Sequence, residues 1–267
     1  MARNFRRHRA LLTSIVQPTS TYLAVVPAYN ESATIGEVVG TLESQAPQFD
    51  VLVVDDGSTD GTGAIADRAG AAVLRLPFNL GIGGAVQAGF IYALENGYQR
   101  MVQVDADGQH MAEEMSTLTE TMDDAPEIDM VCGSRFLTDN GYPAPISRRT
   151  GIHIFAFLLS RIVGQRVTDP TSGFRLYNRR GIALFAHDYP HDYPEVEAVL
   201  MVHHHSLRMT EVPVRMLERG GGISSISSGK SAYYMVKVLL AIFVGLARRR
   251  PVPEPGDDSP VSASHGI

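Results

Sequence analysis

Apolar and polar residues come in alternating blocks along the first half of the chain. Tyr22–Val26 is a short apolar run that Pro27 should stop. Ile35, Val38, Val39 and Leu42 then recur at helical spacing. Asp50–Val54 is a second apolar run. A polar turn, Asp55–Thr59, leads from it into a helix that Asp60 could cap. Ala71–Leu76 reads as a third strand, and Val86, Phe90, Ala93 and Leu94 mark a third helix. Arg100–Val104 is a fourth strand, Met111–Met122 a helix and Ile128–Cys132 a fifth strand. This order predicts an α/β fold with a mostly parallel central sheet and helices on both faces.

After residue 140 the alternation stops. Ile152–Val163 is an apolar helix, Gly173–Tyr177 a strand, Pro194–His205 helical and Arg208–Val214 extended. Gly220–Gly222 reads as a hinge. Tyr233–Ala247 is apolar nearly all round, broken by Lys237, and the tail from Pro251 is rich in Pro, Ser and Asp. Four segments follow: a basic arm over 1–20, a folded domain over 21–226, an apolar helix over 227–250 and a disordered tail over 251–267.

Composition narrows the function. Of 267 residues, 44% are hydrophobic, enough for a large core, and a net charge of −6 argues against a general nucleic-acid binder. Positive charge is nonetheless concentrated. Arg3, Arg6, Arg7 and Arg9 crowd one end, and Arg248, Arg249 and Arg250 follow the last apolar run. Such clusters suit either an anionic membrane surface or solubilising ends. Cys132 is the one cysteine, so no internal disulfide can form; it reads as a buried core residue, and a reducing compartment fits. Ala10–Val16 is short and mixed, with no clean cleavage site, so it is not a convincing secretory signal.

Ligands of such sheets bind at the carboxyl ends of the strands. Four polar clusters stand there: Ala28–Glu31, Asp55–Asp56, Asn79–Gly84 and Asp105–Gln109. Asp105 and Asp107 are alternate residues at a fraying strand end and could turn two carboxylates to one point. A hard divalent cation shared with substrate phosphates needs one or two carboxylates, and Gln109 could add a neutral oxygen. Asp55 and Asp56 could accept hydrogen bonds from a base or ribose, or cap a helix. Asn79–Gly84 looks like a phosphate-cradling loop at a helix start. It sits in the third strand–helix unit, whereas a dinucleotide fingerprint belongs in the first, which counts against a dehydrogenase.

Four motifs occur in order: Val25-Val26-Pro27-Ala28-Tyr29-Asn30-Glu31, Val53-Val54-Asp55-Asp56-Gly57-Ser58-Thr59-Asp60, Asn79-x-Gly81-x-Gly83 and Asp105-Ala106-Asp107-Gly108-Gln109-His110. Together they resemble a family 2 glycosyltransferase of GT-A fold, over roughly residues 22–226. Gly133-Ser134-Arg135, Arg148-Arg149, Asp169-Pro170-Thr171-Ser172-Gly173-Phe174-Arg175 and Glu211-Val212-Pro213-Val214 resemble the polyprenyl-phosphate sugar transferases of the dolichyl-phosphate mannose synthase type.

The resemblance implies a nucleoside pocket of Pro27, Ala28, Tyr29 and Glu31, with Asp56 on the base or ribose. Asn79, Gly84, Asp105 and Ala106 would complete the nucleotide site. It implies Mg²⁺ or Mn²⁺ on Asp105, Asp107 and Gln109, and a catalytic group of Asp107, Arg135, Arg148 and Arg149. Arg135 with Arg148 or Arg149 would hold acceptor and donor phosphates, as the guanidinium fork suits. Ser172 and Arg175 would lie near the acceptor. The implied partners are a UDP- or GDP-sugar and a polyprenyl phosphate. The family often carries Arg-x-x-Gly-x-Ser-Lys near its end. Arg219-Gly220-Gly221-Gly222-Ile223-Ser224-Ser225 keeps the Arg, Gly and Ser but has Ser225 where Lys would stand, so no donor transfers by analogy.

A hydroxyl acceptor needs a general base. A lipid monophosphate, with a second pKa of about 6, is already largely dianionic at neutral pH. No Trp occurs, so the Gln-x-x-Arg-Trp motif of processive synthases is absent and one sugar per turnover with inversion is expected. Transfer to a hydroxyl of a glycan or small molecule is the alternative, with Glu197 a better base candidate than Glu195. A nucleotidyltransferase would show a Gly-rich loop with Arg and Lys where Pro27–Glu31 stands. His203, His204 and His205 are consecutive, about 100° apart on a helix, and so are read as structural or surface residues. Tyr233–Ala247 is 15 residues, or about 22 Å as a helix, short of a ~30 Å bilayer core. It fits an interfacial helix, a docking surface for a small membrane protein, or a core helix. With apolar Ile152–Leu159, it predicts a peripheral protein on the cytoplasmic face of a membrane.

Overall fold

A computed structural model describes residues 18–138, 146–190 and 193–217, with residues 146–148 as backbone only. The expectations for the basic arm, for Arg219–Ser225, for the Tyr233–Ala247 helix and for Arg248–Arg250 and the tail lie outside those residues.

Seven strands form one sheet in the order β3-β2-β1-β4-β6-β5-β7. They are β1 (Tyr22–Ala28), β2 (Phe49–Asp55), β3 (Ala72–Arg75), β4 (Arg100–Gln103), β5 (Met130–Ser134), β6 (Arg175–Asn178) and β7 (Met209–Pro213). β1 to β4 are parallel to one another, and β7 is parallel to β5. β6 alone runs antiparallel, paired with β4 on one side and β5 on the other. The sheet is therefore mostly parallel, as expected, with one reversed strand inside it.

Strands covered on both faces read as continuous apolar runs, and Leu23 to Val26 and Leu52 to Val54 are buried to 1% exposure or less. Alternate residues feed two separate cores. Leu23, Val25, Leu52 and Val54 pack with α3 (Gly81–Glu95), α5 (Ile146–Val163), α6 (Arg179–His187) and α7 (Pro194–His204). Ala24, Val26, Val51 and Val53 pack with α1 (Ile35–Gln45), α2 (Thr62–Arg68) and α4 (Glu114–Asp124).

Several boundaries moved. β1 runs through Pro27 to Ala28 instead of stopping before it. Residues of β1 that face β4 alternate, and Val25 makes the last such contact, accepting from Val104. The missing N–H of Pro27 therefore points where β4 has already turned away and costs no ladder bond. α2 starts at Thr62, with Gly61 (φ 89°) as its N-cap in place of Asp60. α4 begins at Glu114, three residues past the expected start. α6 was not foreseen, although Asn178 caps it by accepting from the N–H groups of Arg180 and Gly181.

β2 lies on one side of β1 and β4 on the other, so the chain reverses its winding direction at the β1–β4 boundary. That switch point opens a crevice at the carboxyl ends.

Candidate active site

Four loops meet at the crevice. The first two are interlocked. Asn30, at φ 55°, donates its N–H to Ser58 Oγ (3.0 Å), and its Oδ1 accepts from Thr59 N–H (2.9 Å). Glu31 N–H reaches Thr62 Oγ1 at 2.9 Å, and Ser32 N–H reaches Asp60 Oδ2 at 3.0 Å. Pro27 and Ala28 end β1 behind this pair of loops, Ala28 buried with its carbonyl accepting from Asp56 N–H. Tyr29 is 48% exposed and offers a ring at the rim.

Asp56 is buried, and its two oxygens take Leu80 N–H (2.7 Å) and Gly81 N–H (2.9 Å). It caps α3 from 24 residues upstream. Burial pushes its carboxyl up, and the bonds from Leu80 and Gly81 pull it back. The capping alternative for Asp56 is therefore realised, and the Leu80 and Gly81 N–H groups are spent on it. Asn79 Oδ1 also accepts from Gly81 N–H at 3.0 Å. Gly84 is buried against Leu80: an added Cβ would stand 2.6 Å from Leu80 Cβ. In the structure this loop closes on Asp56 and packs tightly, with Gly84 buried against Leu80. Gly57 is locked by the same packing, since its Cβ would meet Phe78 backbone at 2.8 Å and its φ is +73°.

The fourth loop follows β4. Asp107 is nearly buried, and its Oδ1 accepts from Gln109 N–H at 3.1 Å. Ala106 belongs to the second core. Gln109 Nε2 donates to Leu217 O (3.2 Å), and Leu217 N–H returns to Gln109 O (2.9 Å). The stretch after β7 is thus tied to the carboxylate loop. His110 Nδ1 accepts from Asp105 N–H at 2.9 Å, which places the ring proton on Nε2, 3.5 Å from Asp105 Oδ2. Burial holds His110 down to about 4, so the ring is neutral. Its face lies 4.7 Å from the Phe174 ring.

Gly173 abuts the same carboxylate. A Cβ there would stand 2.9 Å from Asp105 Oδ1 and 3.1 Å from Gln103 Nε2. The loop before β6 and the loop after β4 thus share one wall of the crevice. Arg135, at the end of β5 and only 6% exposed, stands at the same end of the sheet. Asp169 is wholly buried and grips it three ways: from Arg135 N–H (3.1 Å), Nε (2.6 Å) and Nη2 (2.8 Å). Thr171 Oγ1 also accepts from Nη2 at 2.9 Å.

The remaining expected residues differ in accessibility. Ser172 is buried, and its Oγ accepts from Phe174 N–H. Arg175 is 1% exposed and donates from Nη2 to the carbonyls of Pro170 (3.1 Å) and Glu195 (2.7 Å). Its guanidinium lies inside the fold, where it clamps the Asp169–Ser172 turn to the start of α7. Arg149 is exposed on the first turn of α5, and the side chain of Arg148 lies outside the described residues. Burial raises the carboxyl of Glu195, one of the two candidate bases, which lies within electrostatic reach of Arg175, Asp105 and Arg135. His203 and His204 are exposed, and among the described residues no three His, Cys, Asp or Glu side chains form a metal-binding group. Asp169, Gly173 and Glu211 drew no individual assignment from sequence. Their partners lie far away along the chain, and no local spacing signals them.

A profile of the family described as "Glycosyl transferase family 2" matches residues 23–184. The chain belongs to glycosyl transferase family 2. This glycosyltransferase is 34% identical over 233 residues to a polyprenol monophosphomannose synthase of Mycolicibacterium smegmatis, covering 84% of this chain and 87% of that protein. It is 35% identical over 240 residues to an undecaprenyl-phosphate mannosyltransferase of Micrococcus luteus, covering 85% and 98%. Its fold is shared with glucosyl-3-phosphoglycerate synthase from Mycobacterium tuberculosis, solved with Mn²⁺, UDP and glucosyl-3-phosphoglycerate. The TM-score is 0.62 at 19% identity, over 89% of this chain and 82% of that one. The sheet is therefore that of a GT-A-like glycosyltransferase.

Proposed function

We propose that this glycosyltransferase moves one sugar from a nucleotide-diphosphate sugar to a polyprenyl phosphate, with inversion at the anomeric carbon. The observation that carries this reading is that Asp105 and Asp107 follow β4 while Arg135, gripped by buried Asp169, follows β5, so all three stand at the carboxyl end of one sheet. Similarity over most of the chain to two enzymes named for lipid-phosphate acceptors supports it.

Asp105, Asp107 and the Gln109 amide oxygen suit Mg²⁺ or Mn²⁺, because two carboxylates leave room for diphosphate oxygens. When bound, such an ion would neutralise charge building on the leaving nucleotide diphosphate. Pro27, Ala28, Tyr29 and Glu31 border the place for the nucleoside, and Asp56 shapes it through the α3 cap. Arg135, with Arg149 or Arg148, binds phosphate. In the reaction a phosphate oxygen of the acceptor forms the new bond to the anomeric carbon. The old bond to the diphosphate breaks, and the diphosphate keeps its electron pair. No proton moves, because the acceptor is already dianionic, so the chain's task is orientation and charge stabilisation.

The enzyme works at a membrane surface in this reading. Among the described residues no helix is long and apolar enough to cross a bilayer. α5 presents Ile154 and Phe157 outward, 41% and 60% exposed, beside Arg149.

The test is a panel of UDP- and GDP-sugars, mannose included, with Mg²⁺ or Mn²⁺ and a short polyprenyl phosphate. A lipid-linked sugar is expected, abolished by a chelator and ~100-fold slower or worse in Asp107→Ala. Transfer to a hydroxyl acceptor, with polyprenyl phosphate unused by every donor, would overturn the reading.

A further inference from the structure

Behind Arg135 stands a relay of side chains that ends on the outermost strand. Glu211 lies on β7, the edge of the sheet, and pairs with Cys132 of β5 in register. Its carboxylate reaches the turn between α5 and β6. Oε2 accepts from Thr168 N–H and Thr168 Oγ1, both at 2.7 Å, and Oε1 accepts from Asp169 N–H at 3.0 Å. Thr168 Oγ1 is also 2.6 Å from Ser134 Oγ, the residue before Arg135. One carboxylate therefore fixes two consecutive backbone amides at the start of the turn. The second of them belongs to the residue that holds Arg135 on three donors.

This is a costly arrangement for a purely structural purpose. Burial pushes the Glu211 carboxyl up, and the charge of Asp169 pushes it further in the same direction, against the bonds from Asp169 and Thr168. A neutral acceptor would satisfy an amide without placing a second acid behind a buried one. What the second carboxylate adds is direction. Two amides bound by two oxygens cannot rotate, so the Asp169 side chain meets Arg135 in one geometry only. A bidentate grip then sets the plane of the guanidinium.

We propose that Glu211 is a positioning residue for phosphate recognition, acting through Thr168 and Asp169 to fix the plane of the Arg135 guanidinium. It touches neither donor nor acceptor. The proposal rests on the reading of Arg135 as a ligand for the acceptor phosphate, and its consequence is selective. Losing Glu211 disturbs use of the phosphate acceptor and leaves nucleotide binding at the β1 and β2 loops intact.

Two measurements on the full chain test it. In the first, kcat/KM for a short polyprenyl phosphate is compared between wild type, Glu211→Gln and Thr168→Val, with nucleotide affinity followed in parallel. A Gln side chain keeps the shape but can serve only one of the two amides as acceptor. Each variant should lose ~10-fold or more in kcat/KM, with nucleotide Kd within about twofold of wild type. In an Arg135→Lys background, Glu211→Gln should add almost nothing, because the group it orients is gone. Wild-type kcat/KM in both variants, or full additivity with Arg135→Lys, overturns the proposal. The second measurement needs no turnover. The Arg135 Nε–H resonance, assigned by its loss in Arg135→Lys, should be protected from exchange in wild type and exchange ~10-fold faster in either variant. Unchanged exchange overturns the positioning role whatever the acceptor. A wild type that makes no lipid-linked sugar while the Arg135 signal responds overturns only the functional reading. Thr168→Val removes a single hydroxyl, so the comparison stands even where Glu211→Gln fails to fold.

Discussion

Asp105 keeps its place because Gly173, beside it on the same wall of the crevice, has no side chain. A methyl group there would lie 2.9 Å from Asp105 Oδ1 and 3.1 Å from Gln103 Nε2, closer than atoms of that kind settle. The backbone conformation of Gly173 is ordinary, so Gly173→Ala tests proximity alone. The carboxylate must swing aside, and His110, bonded to the Asp105 amide, resists. A displacement near 1 Å at a reacting centre costs up to ~100-fold, so a fall of ~10- to 100-fold in kcat/KM is expected. The melting temperature should move by no more than ~4 °C. Steady-state kinetics beside thermal melts checks this, and unchanged kinetics would show that Asp105 is free to shift. Asp105 and Asp107 could be singled out from sequence, as two acids at alternate positions after an apolar strand. Gly173 was not readable, because its neighbour lies 68 residues upstream by numbering and nothing local marks the contact. Arg175 is a different case. Its motif placed it by the acceptor, whereas its strand register sends it into the interior to clamp a turn.

At the scale of elements, the loops after β1 and β2 act as one unit. Asp60 binds across them, accepting from Ser32 N–H, Thr62 N–H and Thr62 Oγ1. Burial works to raise its carboxyl, but the bonds from Thr62 and Ser32 outweigh it and hold the group at about 2, below its ordinary 3.8. The sign follows from linkage. The unfolded chain takes up this proton first as pH falls, so the stabilisation is whole above about pH 4 and is lost between about 4 and 2. Asp60 is exposed, so screening limits its worth to under ~1 kcal/mol. Thermal melts of wild type and Asp60→Asn should therefore differ at pH 5 and converge toward pH 2; a gap independent of pH would rule out this role. The same scale shows why the strands were legible, β5, β6 and β7 included, while one helix of the second half was not. β1 and β2 are covered on both faces and appear as unbroken apolar runs. α6 carries an Asn178 cap in its sequence, but it starts directly at the end of β6, and the reading stopped with the strand at Tyr177 and assigned no helix after it. Capping by Asp56 was legible as an alternative, but not that the helix it caps is α3, whose start lies in another loop.

At the scale of the molecule, a lipid-phosphate acceptor requires that the carboxyl-end crevice face a bilayer, and α5 is the described element best suited to arrange it. Its inner face, Ile152, Phe155, Ala156 and Leu159, is buried, with Phe155 and Leu159 in the core shared with α3, α6 and α7. Its outer face carries Arg149, His153, Phe157 and Arg161, each four residues from the next, with Ile154 beside them and the Arg161 guanidinium 5.4 Å from the Phe157 ring centroid. An exposed Phe gains ~1.5–3 kcal/mol on entering an apolar phase, and each arginine near an anionic surface adds ~1 kcal/mol at most. The apolar part should survive salt and the charged part should not. Phe157→Glu should therefore lower sedimentation with phosphatidylglycerol vesicles ~10-fold or more at high salt, where wild type still binds. Turnover of a long-chain polyprenyl phosphate in those vesicles should fall with it, while a short, water-soluble polyprenyl phosphate is used at the wild-type rate. Co-sedimentation and the paired acceptor assay read the two effects separately. If Phe157→Glu pellets with vesicles as well as wild type does, α5 is not the element that meets the membrane.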